Sequence, residues 1–337
     1  MNLSEGKLKH MRALATEGGI IAAAAMDQRG SLQKSLASAR GVDKKQITPE
    51  MMSEFKTAVT RVLTPYASAI LLDPEFGLDA ARARARTCGL LLAYELSGYD
   101  NTQPGRLPDL LPHVSVRRIA EWGANAVKIL IYYTPFEDAA INDVKHAFVE
   151  RIGAECMHYD IPFFLEFVGY DPHDGDEKGY EYARIKPEVV RRSMEEFSKP
   201  HYHVDVLKVE IPINAEYVEG SAVFKGQAAY SRAEALDHFR RAAAAAKKPY
   251  IYLSAGVSNA QFVESLHMAA EAKVDFSGVL CGRATWKEGI PVYGKQGVKA
   301  LEDWLAKDGV RNIKAVNEAT RGATPWYQKL GLAAPAA

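Results

Sequence analysis

The sequence has few cysteines and no excess of charge of either sign. Its three cysteines, Cys88, Cys156 and Cys281, are too few and too scattered for a disulfide framework or a cysteine-rich metal site, so we expect a reducing, cytoplasmic location. Forty-two basic residues balance 42 acidic ones, which leaves no overall field to attract nucleic acid or an anionic membrane. No run of about 18 apolar residues occurs, and the polar start MNLSEGKLKHMRAL lacks the pattern of an export signal. We therefore expect a soluble protein with small-molecule ligands.

Eight short apolar segments recur along the chain, and most are continuous rather than alternating. This pattern is typical of strands that are covered on both faces. The segments span 20–27, 69–73, 90–95, 126–133, 162–170, 204–212, 249–256 and 276–283. Amphipathic stretches suited to crossover helices lie between them at 50–63, 113–122, 137–158, 186–198, 231–246 and 258–272. The alternation predicts an α/β fold, a (β/α)8 TIM barrel, with a doubly wound open sheet as the alternative.

The domain organisation follows from the absence of any linker, repeat or long low-complexity tract. We expect one barrel domain over 1–337, with a short helical N-terminal segment and a C-terminal tail. The connection between the second and third predicted strands, at 79–88, is short for a crossover helix and is the weakest link in the strand–helix alternation. Polar insertions at 97–109 and 171–184 are expected to be loops over the same end of the barrel.

The segment DVLKVEIP at 205–212 places Lys208 within an apolar, β-branched run that is typical of a buried strand. Burial disfavours an ammonium group, and a neutral amine can attack a carbonyl to form a Schiff base. The alternative is structural: a lysine near the strand end that reaches water or pairs with Glu210.

Charged residues also fall in or just after most of the other early strands. They are Asp27, Asp73, Glu75, Glu95, Lys128 and Glu166. Since unpaired buried charges cost several kcal/mol each, and barrel chemistry lies at the carboxyl ends of the strands, we expect these groups and Lys208 to converge on one polar site. An amine among carboxylates suits carbonyl chemistry, because a carboxylate can move the protons.

Two turns rich in small residues follow the last two predicted strands. They are LSAGVSNAQF at 253–262 and CGRATWKEG at 281–289. Loops after the seventh and eighth strands of a barrel often bind phosphate. The candidate phosphate-binding residues are Ser254, Gly256, Gly282 and Arg283.

Several long motifs, taken together and in order, resemble the class I tagatose-1,6-bisphosphate aldolase family, whose relatives include sulfofructose-phosphate aldolases and transaldolases. The motifs are AMDQRGSL (25–32), LLDPEFG (71–77), NAVKILIYY (125–133), FFLEFVGYD (163–171), DVLKVEIP (205–212), LSAGVSN (253–259) and CGRATWKEGI (281–290). The resemblance implies that Lys208 is the Schiff-base nucleophile, Glu166 the acid/base, and Asp27 and Lys128 supporting residues. It also implies a barrel and a mechanism without metal or other cofactor.

The activity implied by the resemblance is cleavage of a ketose phosphate, with tagatose 1,6-bisphosphate or a related ketose 1,6-bisphosphate as substrate. The products would be dihydroxyacetone phosphate and a three-carbon aldehyde. Sulfofructose 1-phosphate cleavage, a sulfofructose transaldolase, a barrel isomerase and a sugar-phosphate-binding regulatory protein are the alternatives. The anion at the far end of the substrate has Arg29 and Ser31 as candidate ligands, with Arg106 and Lys178 as more remote ones.

The sequence also allows structural roles for single charged residues and a metal-dependent mechanism. Asp27 and Arg29 could form a local ion pair, and Lys128 could be a salt-bridge partner of Glu166. A metal-dependent aldolase would need clustered histidines. The one close pair is His201 and His203, which precede strand six at the end of the barrel away from catalysis. Apolar helix faces favour a homo-oligomer.

Overall fold

Eight parallel strands close into a barrel in the computed structural model, which describes residues 3–99, 102–173 and 175–334. The strands follow one another in chain order, and the last pairs with the first. They are β1 (Ile21–Met26), β2 (Ala69–Leu72), β3 (Gly89–Ala93), β4 (Ala126–Tyr132), β5 (Phe163–Val168), β6 (Val206–Glu210), β7 (Tyr250–Leu253) and β8 (Gly278–Cys281). The predicted (β/α)8 barrel is confirmed, and because the sheet is closed the open doubly wound alternative is wrong.

Helices surround the barrel and cover its ends. They are α1 (Glu5–Leu14), α2 (Gly30–Arg40), α3 (Pro49–Leu63), α4 (Leu78–Ala83), α5 (Val116–Glu121), α6 (Ala139–His158), α7 (Tyr180–Phe197), α8 (Arg232–Ala245), α9 (Asn259–Glu271), α10 (Arg283–Trp286), α11 (Gly289–Trp304), α12 (Val310–Ala319) and α13 (Trp326–Lys329). Short 3₁₀ turns lie at Lys44–Gln46, Thr64–Tyr66, Pro200–Tyr202 and Ala215–Tyr217, and one π-helical turn lies at Leu305–Gly309.

The starts of the crossover helices are fixed by capping side chains. Thr48 accepts a hydrogen bond from the Met51 N–H at the start of α3, and Pro49 occupies the first helical position, where its missing N–H costs nothing. At the start of α8, Ser231 and Glu234 form a capping box. These caps explain why the predicted helices 50–63 and 231–246 begin within a residue of the observed ones.

Side chains alternate along each strand between the barrel interior and the surrounding helices. On β1 the interior receives Ile21, Ala23 and Ala25, whereas Ala24 and Met26 pack against the helices. Continuing this alternation toward the carboxyl ends brings five charged side chains inward. They are Asp27, Glu95, Lys128, Glu166 and Lys208.

The amino end of the barrel is closed by the two ends of the described chain. Met11 and Leu14 of α1 pack with Trp326 of α13 against the interior residues of the strands. A buried ion pair of 2.6 Å joins Lys7 Nζ to Asp205, whose carboxylate also accepts a hydrogen bond from the Phe163 N–H. The barrel interior is therefore covered at its amino end, and the cavity described below lies at the opposite, carboxyl end. That the whole chain forms a single domain stays a prediction.

Two predicted connections differ from the structure. Helix α7 begins at Tyr180, so residues 180–184 are helical and not part of a loop. Pro187 favours the first turn of a helix, but here it lies inside α7. The short connection at 79–88 contains the six-residue helix α4. Across the two insertions, Arg106 forms an ion pair of 2.7 Å with Glu177.

No helix in the described ranges is both long enough and apolar enough to cross a membrane.

Candidate active site

Glu166 and Lys208 lie side by side on neighbouring strands. They are partners in the β5–β6 register, and Lys208 Nζ donates a hydrogen bond of 2.7 Å to Glu166 Oε2. Only 3% of Lys208 is exposed, so it does not reach out to water. It does not pair with Glu210, which instead accepts a hydrogen bond from the Gly169 N–H and forms an ion pair with Lys186. The structural alternative for Lys208 is therefore wrong.

Lys128 lies beneath this pair at the centre of three carboxylates. Its Nζ is 2.8 Å from Asp27 Oδ2, 2.8 Å from Glu95 Oε1 and 2.8 Å from Glu166 Oε2. Burial alone would lower the pKa of Lys128, but the three surrounding carboxylates raise it well above its usual value. The surrounding carboxylates therefore favour the charged form of Lys128, and its predicted salt bridge to Glu166 is one of three.

Asp27 follows β1 directly and is held as a carboxylate. Burial acts to raise its pKa, but the charges of Lys128 and Lys208 outweigh burial and lower it below the usual value. Its second oxygen accepts from Gln28 Nε2 at 3.2 Å. Arg29 forms its ion pairs elsewhere, with Glu75 at 2.9 Å and with Glu95 at 3.6 Å. The local Asp27–Arg29 ion pair considered from the sequence is not formed.

One wall of the cavity carries polar atoms without partners among the described residues. These buried atoms are Gln28 Oε1, Arg29 Nε and Glu95 Oε2. Burial raises the pKa of Glu95 despite the nearby charges of Lys128 and Arg29. Gln28 was not singled out from the sequence; its position beside Asp27 was the available signal.

Asp73 does not join the other charged groups, so the expectation that all seven converge is wrong. Strand β2 ends at Leu72, and the chain turns before Asp73 could face inward. Asp73 is instead buried behind the barrel, where it pairs with Lys56 and accepts from the Phe76 N–H at 2.8 Å. Glu75 lies against Arg29 at the edge of the site.

The turns after β7 and β8 meet at one cavity, and that they bind phosphate stays a prediction. Ser254, Gly256, Gly282 and Arg283 all line one cavity of about 330 Å³ together with Glu166 and Lys208. Gly256 has φ +77°, and a Cβ added there would lie 2.7 Å from Arg283 Cζ. The glycine therefore allows the guanidinium to approach the turn backbone. Lys287 Nζ donates to the Gly256 carbonyl at 3.1 Å.

The candidates for the distal anion fall into two places. Arg29 and Ser31 line the same cavity as Lys208, but the Arg29 guanidinium is already bound to two glutamates. Arg106 and Lys178 line a neighbouring cavity of about 810 Å³ that shares the Ser254–Gly256 turn. The guanidinium of Arg106 lies over the rings of three tyrosines, Tyr99, Tyr132 and Tyr170.

Within the described residues, no three histidine, cysteine, aspartate or glutamate side chains are grouped to hold a metal ion. His201 lies half-exposed beside Glu150, at 3.6 Å, on the amino side of β6. The absence of a metal or other cofactor stays a prediction.

A family profile described as DeoC/LacD family aldolase matches residues 21–288. The chain belongs to this family. The DeoC/LacD aldolase described here is 50% identical over 332 residues to a tagatose 1,6-diphosphate aldolase of Listeria monocytogenes serotype 4a (strain HCC23), covering 98% of this chain and 96% of the relative. It is 49% identical over 331 residues to tagatose 1,6-diphosphate aldolase 2 of Enterococcus faecalis (strain ATCC 700802 / V583), covering 98% of each. The family resemblance is confirmed, and the protein is an aldolase.

Solved structures share the barrel of this aldolase. A fructose-bisphosphate aldolase from Plasmodium falciparum superposes with a TM-score of 0.66 at 13% identity, covering 96% of this chain and 97% of that one. A Schiff-base-forming fructose-1,6-bisphosphate aldolase superposes with a TM-score of 0.54 at 13% identity, covering 93% and 98%. At this level of identity the likeness shows a common fold.

Proposed function

We propose that this aldolase cleaves a ketose 1,6-bisphosphate, with tagatose 1,6-bisphosphate as the first candidate, through a Schiff base on Lys208. The observation that carries the proposal is the buried Lys208 amine, 2.7 Å from Glu166 and below the Ser254–Gly256 and Gly282–Arg283 turns. The names of the relatives at about half identity support the choice of sugar.

Imine formation needs a nucleophilic amine and a group that moves protons. Lys208 would pass a proton to Glu166, and its amine would attack C2 of the open-chain ketose to give a carbinolamine. Protonation of the C2 hydroxyl by Glu166 would release water and leave a protonated imine. Lys128 stays charged beside Glu166 throughout, and so it can stabilise the carboxylate form between transfers.

Cleavage then uses the iminium as the electron sink. A base, with Glu166 the leading candidate, removes the C4 hydroxyl proton, the C3–C4 bond breaks, and its electron pair forms an enamine on Lys208. The aldehyde departs, C3 of the enamine is protonated, and water releases dihydroxyacetone phosphate. Asp27, which lines the cavity with Lys208, would orient the sugar hydroxyls.

The phosphate groups would fix which end of the ketose faces Lys208. The C1 phosphate is assigned to Ser254, Gly256, Gly282 and Arg283, because these residues line the cavity with Lys208 and follow β7, which pairs with β6, and β8, the next strand. Arg29 and Ser31 are assigned to the distal phosphate. No metal takes part in this scheme. A homo-oligomeric state and a cytoplasmic location stay predictions from the sequence.

The test is borohydride reduction in the presence of EDTA, followed by intact and peptide mass spectrometry. Dihydroxyacetone phosphate and fructose 6-phosphate are compared as imine donors, with Lys208→Ala as the control. We expect a reduced adduct with dihydroxyacetone phosphate that maps to Lys208, and cleavage of tagatose 1,6-bisphosphate with EDTA present. An adduct at another lysine, or none in folded protein, would refute the Schiff-base assignment. An adduct formed only with fructose 6-phosphate would indicate a transaldolase.

A further inference from the structure

Lys56 is a fully buried lysine that takes no part in the cavity. It belongs to the apolar face of α3, where Met52, Phe55, Val59 and Leu63 pack into the core. Both Lys56 and its partner Asp73 are completely inaccessible. Burying such a pair costs much of what the ionic attraction returns, and apolar replacements of buried ion pairs often leave stability unchanged or increased. Stability alone therefore does not account for a lysine here.

The ammonium of Lys56 is bound on all three of its N–H groups. Besides Asp73, it donates to the Met26 carbonyl at 2.7 Å and to the Gln28 carbonyl at 2.8 Å. These two carbonyls lie immediately before and after Asp27. Lys56 thus holds the backbone on both sides of Asp27. Strand β1 ends at Met26, so the ladder of strand hydrogen bonds does not extend to this segment.

The contacts of Asp27 itself depend on that backbone position. Its Oδ2 lies 2.8 Å from Lys128, which is immobilised by two further carboxylates. A rotation of the peptide planes at Met26 or Gln28 would move the carboxylate away from Lys128 and from the bound sugar. Reactions of this kind lose about 100-fold for a misplacement of about 1 Å.

We propose that Lys56 is a positioning residue for aldol cleavage, which acts by holding Asp27 through the carbonyls of Met26 and Gln28. The proposal rests on the proposed function, in which Asp27 orients the sugar hydroxyls. Lys56 touches neither Lys208 nor Glu166, so its loss impairs C–C cleavage and leaves imine formation intact.

The chain offers a matched control at the other end of the barrel. Lys7 and Asp205 also form a buried ion pair, and Asp205 also accepts the N–H of a phenylalanine, Phe163, as Asp73 accepts that of Phe76. The double variants Lys56→Met/Asp73→Asn and Lys7→Met/Asp205→Asn remove equivalent pairs without leaving a buried charge unpaired. The single variant Lys56→Met serves as a second test if the Asp73 substitution fails to fold.

Three measurements are made on each folded variant: kcat and KM for cleavage, and the rate of borohydride trapping with dihydroxyacetone phosphate. For Lys56→Met/Asp73→Asn we expect kcat to fall about 10- to 100-fold, with KM and the trapping rate within about threefold of wild type. For the Lys7 control we expect all three unchanged. In an Asp27→Ala background, the Lys56 change should lower kcat by less than about a further threefold, because Lys56 acts through Asp27.

The outcomes separate this proposal from the proposed function. If the wild-type protein gives no adduct at Lys208, the Schiff-base assignment fails first. If the adduct does form, three results would overturn the positioning role. The Lys56 change could lower kcat in the Asp27→Ala background as much as it does in wild type, or it could lower the trapping rate in parallel with kcat. The Lys7 control could also lose as much kcat as the Lys56 variant.

Discussion

Lys128 and Glu166 form a buried ion pair of 2.8 Å, and the Glu166 oxygen that takes part is the same one that accepts from Lys208. A single carboxylate oxygen therefore lies between a lysine that stays charged and a lysine that we assign to imine chemistry. Because the carboxylates around Lys128 raise its pKa, we assign the proton transfers at this oxygen to Lys208 and to the substrate.

Glu166→Gln should retain the fold and lose the proton transfers. The amide keeps the size of the side chain and one acceptor oxygen, but it cannot shuttle a proton. We expect kcat to fall by about 10²- to 10⁴-fold, with the borohydride trapping rate lowered as well, because both imine formation and cleavage use this group. Circular dichroism and stopped-flow trapping check the result. Trapping at the wild-type rate would move the acid/base role for imine formation to another residue.

Gly256→Ala should weaken phosphate binding. An alanine at position 256 would have to adopt the positive φ of the glycine. Its Cβ would also lie 2.7 Å from Arg283 Cζ, so the Arg283 guanidinium would have to move away from the Gly256 turn. We expect KM for the bisphosphate to rise about tenfold or more, which corresponds to loss of a charge-assisted contact.

Gly123→Ala is the control for Gly256→Ala. Gly123 has nearly the same φ, +78°, but nothing lies within 4 Å of an added Cβ. Both variants should lose about 1–2 kcal/mol of stability through backbone strain, whereas only Gly256→Ala should change KM. A similar KM in both variants would argue against Arg283 as a phosphate ligand.

Glu95→Gln should be tolerated, whereas Glu95→Ala should not. Glutamine keeps the size of the Glu95 side chain and still offers an oxygen to Lys128, whereas alanine removes that acceptor. We expect Glu95→Gln to retain activity within about threefold and Glu95→Ala to lose about 10- to 100-fold.

The pH dependence gives an independent check on Glu95. In the pH range from 4.5 up to the raised folded-state pKa, the folded protein binds more protons at Glu95 than the unfolded chain. Wild-type stability should therefore fall relative to Glu95→Gln as pH rises through this range. Urea unfolding at several pH values measures it, and a constant difference would mean that Glu95 is ionised throughout.

Lys145 should make stability rise with pH on the alkaline side. It is completely buried on α6, donates to the Tyr170 hydroxyl at 2.9 Å, and burial lowers its pKa to about 8 from 10.5. Between these values the unfolded chain holds a proton that the folded protein has released, so the free energy of unfolding increases with pH.

Lys145→Met should therefore be more stable than wild type at pH 7, by up to about 3 kcal/mol, and the difference should shrink between pH 8 and 10.5. Denaturant unfolding of both proteins across this range measures it. Lys299→Met, which alters an exposed lysine, should show no such trend. A difference that does not change with pH would show that Lys145 titrates normally.

The strands were predictable because burial on both faces leaves a continuous apolar run. All eight occur where predicted, yet each predicted run is longer than the hydrogen-bonded strand, for example 204–212 against Val206–Glu210. Apolar side chains continue into the turns, since these also pack against helices. The start of α7 was not predictable, because Pro187 has the same preference whether or not a further turn of helix precedes it.

The site was predictable for Glu166 and Lys208, which lie within strands and face inward as the pattern requires. Beyond a strand the pattern does not decide: Asp27 and Asp73 each follow the last residue of a strand, and Asp27 lines the cavity whereas Asp73 pairs with Lys56. Lys56 was missed because a lysine in a helix suggests solvent. The signal that could have found it is its place between Phe55 and Val59 in the apolar face of α3.

The register that places Glu166 beside Lys208 is a property of two paired strands and does not depend on the loops around the site. Both residues sit on paired strands, the part of a fold whose amide protons exchange most slowly with solvent. The neighbouring cavity is lined in part by residues outside the strands and helices, such as Arg106, and loops of this kind tolerate replacement. Exchange of those loops between aldolases can therefore alter which sugars are accepted without moving the amine relative to its carboxylate.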